Sequence, residues 1–115
     1  MQQAILDVLF FSTEQGHEPV REWLKTLPQE DRKSIGEDIK LVQWRWPLGM
    51  PWVRKLKPSL WEIRTSLDHR TARILFTIQN QHMILLHGFI KKTQKTCIND
   101  LDLAIERKKL WLQQN

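Results

Sequence analysis

The sequence predicts an α+β fold with a first strand, two helices, a meander of three strands and a last helix. Apolar residues recur at helical spacing between residues 19 and 46, and the spacing changes to strand-like alternation from residue 52. The 115 residues contain no repeat, low-complexity tract or Gly/Ser linker, so we expect one domain over residues 1–115. The sheet is expected to be antiparallel with about four strands, accompanied by two N-terminal helices and one C-terminal helix.

The first strand and the two helices are predicted as follows. Residues 4–11 are almost all apolar and include β-branched and aromatic members, which is typical of a short buried strand. Periodicity does not fix the partner or the direction of this strand. Pro19 begins the first helix and Pro28 ends it and opens the second. The apolar positions of the two helices, at helical spacing, are Val20, Trp23, Leu24, Leu27, Ile35, Ile39, Val42 and Trp46.

Three strands and a helix are predicted in the second half of the chain. The strands are expected at residues 60–66, 71–79 and 83–90, and Asn80-Gln81 supplies a two-residue turn between the last two. The last helix has Asn99 or Asp100 as its expected N-cap.

Positive charge is concentrated in one segment. The chain has 18 Lys and Arg against 13 Asp and Glu, a formal net charge of +5. Residues 52–95 carry nine basic and two acidic side chains and therefore hold the whole surplus. Such a field attracts polyanions, above all nucleic acid, because binding releases the counterions of the phosphates. The alternative is a basic surface that serves only solubility.

Several classes of protein are excluded as first hypotheses. The longest apolar runs are too short to span a bilayer, the first residues do not form a secretory signal, and the single Cys97 has no partner for an internal disulfide. We therefore expect a cytoplasmic protein with no membrane partner. The histidines lack metal-ligand spacing, and there is no Gly-rich phosphate loop or nucleophile elbow, so no metal or cofactor is expected.

The predicted first hairpin places two arginines side by side. If it turns through residues 67–70, Arg64 lies directly opposite Arg73. Like charges in this position weaken a sheet, so the pair indicates a bound anion such as a phosphate, which both guanidinium groups would contact. The alternative is that both arginines point into water and are partly neutralised by Glu62.

The second hairpin extends this hypothesis. If Gln79 faces His82, the same register puts Arg73 opposite Gly88, whose missing side chain would let a ligand approach the sheet. In that register His87 lies on the apolar side, where a core or rim histidine is favoured over a general base.

Two further groups flank the strands. Residues 90–96 form a basic loop, IKKTQKT, whose ammonium groups would reach the face of Arg64 and Arg73. Trp44, Trp46 and Trp52 flank the Pro-rich link that follows the second helix. For these tryptophans, packing against the sheet is favoured over stacking on bases.

Three segments of the sequence resemble the core signature of the phage-derived HigB-like branch of the RelE toxin superfamily. They are LWEIR at residues 60–64, RILF at residues 73–76 and ILLHGFIKKTQKT at residues 84–96. The resemblance implies a compact RelE-like fold and a toxin of a type II toxin–antitoxin pair, which cleaves mRNA in the ribosomal A site. It also implies the partners: the ribosome and mRNA, a co-expressed antitoxin that is usually a helix-turn-helix HigA-like protein, and operator DNA only through that antitoxin.

The resemblance also implies which residues act. Arg73 matches the arginine of the family's middle strand, and Arg64 matches a basic residue of the preceding strand. Lys92, or its neighbour Lys91, matches the basic position just beyond the last strand. Lys95 belongs to the same basic run. These five are the expected catalytic residues. The further cations expected to bind RNA are Arg54, Lys55, Lys57 and Arg70. The chain has no Tyr, which some relatives use, and Cys97 stands where proline often follows the run.

The implied chemistry requires neither a metal nor a covalent intermediate, because the 2′-hydroxyl of RNA attacks the adjacent phosphate. Arg64 and Arg73 would stabilise the developing negative charge, and Lys91, Lys92 or Lys95 would act as the acid. The general base is left open, as is the surface that the antitoxin covers. Two other hypotheses remain: a non-catalytic RNA- or ribosome-binding module, and a degenerate phage remnant that only binds an antitoxin.

Overall fold

A computed structural model describes residues 3–91 and 97–114 of the chain. Its elements are β1 (Asp7–Phe10), α1 (Pro19–Lys25), α2 (Gln29–Arg45), β2 (Val53–Lys57), β3 (Leu60–Leu67), β4 (Arg70–Gln79), β5 (His82–Lys91) and α3 (Ile98–Gln114). The strands form one sheet in the order β1-β5-β4-β3-β2, in which β1 is parallel to β5 and the other neighbours are antiparallel. The predicted α+β class is therefore confirmed.

The sheet has five strands where about four were expected. The additional strand, β2, pairs with β3 at one edge of the sheet, and only its first residue, Val53, is buried. Three of its five residues are Arg or Lys, which protect an edge strand from pairing with other chains. Because these charges interrupt the apolar alternation, the sequence carries little strand signal here.

The helices cover the two faces of the sheet unequally. One face, which we call the α1/α2 face, packs on both N-terminal helices through Val20, Ile35, Val42, Ile63, Ile74 and Phe76. The other, the α3 face, packs on the last helix through Phe11, Leu60, Leu75, Ile84, Leu86 and Ala104. Within the described residues, no helix is both long and apolar enough to cross a membrane.

Of the three tryptophans near the Pro-rich link, one packs as expected. Trp46 contacts the rings of Trp61 and Phe76 edge-on, with centroids 5.0 Å and 5.7 Å away. The expectation is wrong for Trp44 and Trp52, which are 37% and 43% exposed.

The register of the first hairpin is confirmed. Arg64 pairs with Arg73, and the turn at residues 68–69 contains His69 with a positive φ of 57°. In the second hairpin Gln79 faces His82 as predicted, and Asn80 supplies the positive φ of the turn.

A β-bulge then shifts the pairing of the second hairpin. Leu75 pairs with His87 and Phe76 with Leu85, so Leu86 is an extra residue on β5. Arg73 therefore lies opposite Phe89, and the expectation that it faces Gly88 is wrong.

The bulge also moves His87 to the other face. The ring of His87 lies on the α3 face rather than on the side of Ile74, as expected without the bulge.

Gly88 receives a side chain of the protein rather than a ligand. A Cβ atom at this position would lie 2.5 Å from two ring atoms of Trp23 in α1. Glycine here lets α1 pack tightly against β5, and the expected approach of a ligand at this point is wrong.

The last helix begins before its expected cap. Residues Asn99 and Asp100 lie inside the first turn of α3, which begins at Ile98. Asp100 is used for contacts with β5, described below, so the N-cap prediction is wrong.

Candidate functional site

The α3 face is divided into an apolar end and a charged end. The helix packs its Leu101, Ile105 and Trp111 against the apolar cluster of this face. The register brings the following side chains of this face to the end nearer the β3–β4 turn: Arg54, Glu62, Arg64, Arg73, Phe89 and Lys91. We call this group the cationic end, since it holds four cations and one carboxylate.

A buried carboxylate links the two paired arginines. The Oε1 atom of Glu62 lies 3.7 Å from Nη1 of Arg73 and 3.9 Å from Nε of Arg64. The side chains of Glu62 and Arg73 are fully buried, whereas that of Arg64 is 18% exposed. The alternative in which both arginines point into water is therefore wrong for Arg73.

The charges of the cationic end act on one another. Burial lowers the pKa of Arg73, because the charged form loses solvation, and the Glu62 carboxylate raises it. The guanidinium groups of Arg64 and Arg54 lower it further. One carboxylate thus faces three guanidinium groups, and this part of the sheet keeps an excess of positive charge that suits a phosphate.

The border between the two ends is formed by contacts between β5 and α3. Nε2 of His87 lies 2.8 Å from Oδ1 of Asp100, and Nζ of Lys91 lies 3.9 Å from the other oxygen, Oδ2. The His87 ring stacks on Phe89, with centroids 5.2 Å apart. The side chain of His87 is 15% exposed, which places it at the rim of the core. Asp100 therefore holds the start of α3 against the strand that carries Lys91.

The four cations expected to bind RNA point in different directions. Arg54 pairs with Glu62 in the register and joins the cationic end. Lys55 lies on the α1/α2 face, with its Nζ 6.0 Å from the centre of the Trp61 ring. Lys57 lines a groove beside α3.

Arg70 also lies outside the cationic end. Its Nη2 is 3.1 Å from Oδ2 of Asp31 in α2, and its Nε donates to the carbonyl of Asp68. This arginine therefore ties the β3–β4 turn to α2.

Of the five expected catalytic residues, the structure brings Arg64, Arg73 and Lys91 to one end of one face. Lys92 and Lys95 lie outside the described residues.

The sequence analysis assigned smaller roles to two acidic residues of the site. It expected Glu62 to neutralise part of the charge of the two arginines, and Asp100 to cap a helix. One feature of the sequence could have indicated the role of Glu62: it is the single acidic residue between residue 52 and Asp68, in a stretch that is otherwise basic. In residues 3–91 and 97–114 no three His, Cys, Asp or Glu side chains are grouped to hold a metal ion.

The fold and the cationic end define a small basic α+β protein, which is consistent with the RelE-like fold that the resemblance implies. Residues 22–109, from α1 to α3, match the family described as phage-derived Gp49-like proteins (DUF891). Two relatives, each called "Probable endoribonuclease HigB1", come from Mycobacterium tuberculosis strains CDC 1551 / Oshkosh and ATCC 25618 / H37Rv. Each is 31% identical to the chain over 88 residues, which is 74% of this chain and 67% of the relative.

The chain therefore belongs to the Gp49-like family, in the HigB-like branch of the RelE toxin superfamily. This confirms the resemblance found in the sequence. Membership of a family of toxin–antitoxin proteins implies a cognate antitoxin as partner.

Proposed function

We propose that the protein is the toxin of a type II toxin–antitoxin pair and a ribosome-dependent endoribonuclease that cleaves mRNA in the A site. Family membership supports the toxin, and 31% identity to proteins named as endoribonucleases supports the ribonuclease activity. The observation that carries the proposal is the pairing of Arg64 and Arg73 over one shared carboxylate at the cationic end.

The proposed reaction is a transfer within the RNA chain. The 2′-hydroxyl of one nucleotide gives up its proton to a general base or to water, and its oxygen attacks the adjacent phosphorus. The bond from phosphorus to the 5′-oxygen breaks, and the leaving 5′-oxygen takes up a proton. The products are a 2′,3′-cyclic phosphate and a 5′-hydroxyl. The ribosome contributes by holding the message in the geometry of attack, and the protein needs no metal ion for these steps.

Arg64 and Lys91 are the described cations proposed to touch the phosphate. Their side chains are 18% and 26% exposed, and both lie on the α3 face. A well-placed donor to the developing negative charge is worth about 100-fold in rate. Lys91, Lys92 or Lys95 is proposed to protonate the leaving oxygen, since a lysine ammonium group can supply the proton that this step needs.

Arg73 is proposed to act from beneath the surface. Because its side chain is fully buried, it does not contact the phosphate. It attracts the phosphate through its positive charge and forms an ion pair with Glu62. In this proposal Arg73 is a positioning residue, and its buried charge keeps the carboxylate from neutralising Arg64 completely.

The remaining cations are proposed to bind RNA on other surfaces. Arg54 extends the cationic end, whereas Lys55, Lys57 and Arg70 lie away from it and are proposed to contact ribosomal RNA rather than the cleaved bond. The proposed partners are the ribosome, mRNA and a helix-turn-helix antitoxin of the HigA type, with operator DNA bound only through that antitoxin. Because translated messages are in the cytoplasm, we propose that the protein acts there.

Expression without the antitoxin tests this proposal. We expect growth arrest with the wild type and new 5′ ends within A-site codons of translated messages, and loss of both with Arg64→Ala. Arg32→Ala, which removes an exposed arginine of α2, is the matched control and should behave as the wild type. Growth arrest by stalled ribosomes with intact RNA would favour the non-catalytic binding module instead.

A further inference from the structure

A polar pocket lies at the sheet edge beside the cationic end. It has a volume of about 330 Å³ and opens between α2 and the part of β3 that extends beyond β2. Its main lining residues are Ser34, Glu37, Asp38, Trp52, Arg64 and Ser66. The volume is at the lower end of the range for sites that hold small ligands.

We infer that this pocket binds one base of the message and selects a base with an exocyclic amino group. The inference rests on the proposed function, because it makes the pocket the recognition site next to the cleaved phosphate. Three observations carry it: an exposed indole, a set of hydrogen-bond acceptors and the position of Arg64.

The indole of Trp52 offers a stacking surface. Trp52 is 43% exposed, whereas the neighbouring Trp46 packs against two aromatic rings. Part of the Trp52 ring is therefore open to a ligand in the pocket that it lines. Any base stacks on such a ring, so the indole provides affinity without selectivity.

The acceptors come from one turn of α2. Glu37 and Asp38 carry carboxylates that only accept hydrogen bonds when ionised, and they repel phosphate. An amino group on a base edge is the matching donor, as in the pairing of Asp or Glu with the N4 amino group of cytosine. Adenine, cytosine and guanine carry such a group and uracil does not. Selectivity therefore comes from the α2 side of the pocket.

Arg64 connects the pocket to the cationic end. Its backbone N–H donates to the carbonyl of Trp52 at 3.0 Å, and its side chain reaches the Glu62 carboxylate on the α3 face. A base stacked on Trp52 and the phosphate of the same nucleotide would thus meet neighbouring parts of the protein.

The test measures binding separately from cleavage. The indole N–H signals of ¹⁵N-labelled full-length protein are recorded during titration with trinucleotides of 2′-O-methyl RNA, which cannot undergo attack by the 2′-oxygen. The Trp52 signal is assigned by its loss in Trp52→Phe. Trp44 is the internal control, since it is 37% exposed on α2 but does not line the pocket.

We expect the Trp52 signal to shift and saturate while the Trp44 signal stays in place. Cytidine, adenosine or guanosine trinucleotides should bind about tenfold more tightly than the uridine trinucleotide, and Glu37→Gln/Asp38→Asn should reduce this ratio to about twofold. A Trp52 signal unmoved by millimolar RNA, or equal affinity for uridine, overturns the inference.

The same measurements separate the pocket from the proposed nuclease. If Trp52 responds as expected but translated message stays intact, base binding at the pocket is supported and the proposed nuclease fails. If message is cleaved while the Trp52 signal does not move, the nuclease is supported and base binding at the pocket fails.

Discussion

Glu62 determines how two arginines can lie side by side in the sheet. Directly opposite cations weaken a pair of strands, but here a buried carboxylate lies within 4 Å of both guanidinium groups. Its charge raises the pKa of Arg73, against the lowering caused by burial. The carboxylate therefore offsets part of the cost of burying the Arg73 charge while leaving the pair able to attract an anion.

Glu62→Gln should destabilise the protein by about 3 kcal/mol, because it removes the carboxylate charge beside the buried Arg73 guanidinium. Added inorganic phosphate should raise the melting temperature of this variant more than that of the wild type, since a bound anion replaces the missing charge. Asp102→Asn removes an exposed acid of α3 and is the control. The interpretation fails if the two variants unfold at the same temperature with and without phosphate.

A second prediction at this scale concerns Gly88. Gly88→Ala places a methyl group 2.5 Å from the Trp23 ring, so α1 or its tryptophan must move, at a cost of about 1–3 kcal/mol. Gly49→Ala, where the added atom meets nothing within 4 Å, should change stability by less than about 0.5 kcal/mol. Urea denaturation of both variants measures the difference, and equal midpoints would contradict the packing role of Gly88.

At the scale of elements, the bulge in β5 determines which side chains share the charged end. The turns of both hairpins are predictable from the sequence, because two-residue turns fix the register next to them. Leu85 and Leu86 are both buried, on opposite faces of the sheet. Because the neighbouring residues are also apolar, the extra residue does not change the apolar pattern of the sequence. The register beyond the bulge could not be predicted for this reason.

Arg107 of α3 stabilises the bulge. Its Nη1 donates to the Leu86 carbonyl at 2.9 Å, its guanidinium lies 5.9 Å from the centre of the Phe11 ring, and burial lowers its pKa. Arg107→Met should reduce the free energy of unfolding by about 1–3 kcal/mol, because the buried carbonyl loses its donor. Lys109→Met, at an exposed position of the same helix, should have little effect in the same denaturation experiment. Similar losses in both variants would contradict this role.

At the scale of the whole molecule, the sheet distributes one basic segment over two faces. Composition alone predicts that residues 52–95 carry the positive field. The face that each cation occupies depends on register and burial, which is why Lys55 and Arg70 could not be separated from Arg54 and Arg64 by sequence. The burial of Arg73 was likewise unpredictable, because a charged residue on a strand is usually exposed.

Cleavage of a message in purified ribosome complexes with a defined A-site codon tests the central claim most directly. The wild type should cut the codon to leave a 2′,3′-cyclic phosphate and a 5′-hydroxyl, and a 2′-deoxy nucleotide on the 5′ side of the cut should abolish cleavage. Arg64→Ala, shown to be folded by thermal unfolding, should cut about 100-fold more slowly. Cleavage that persists at the 2′-deoxy position, or an Arg64→Ala variant that cuts at the wild-type rate, would contradict cleavage at the cationic end.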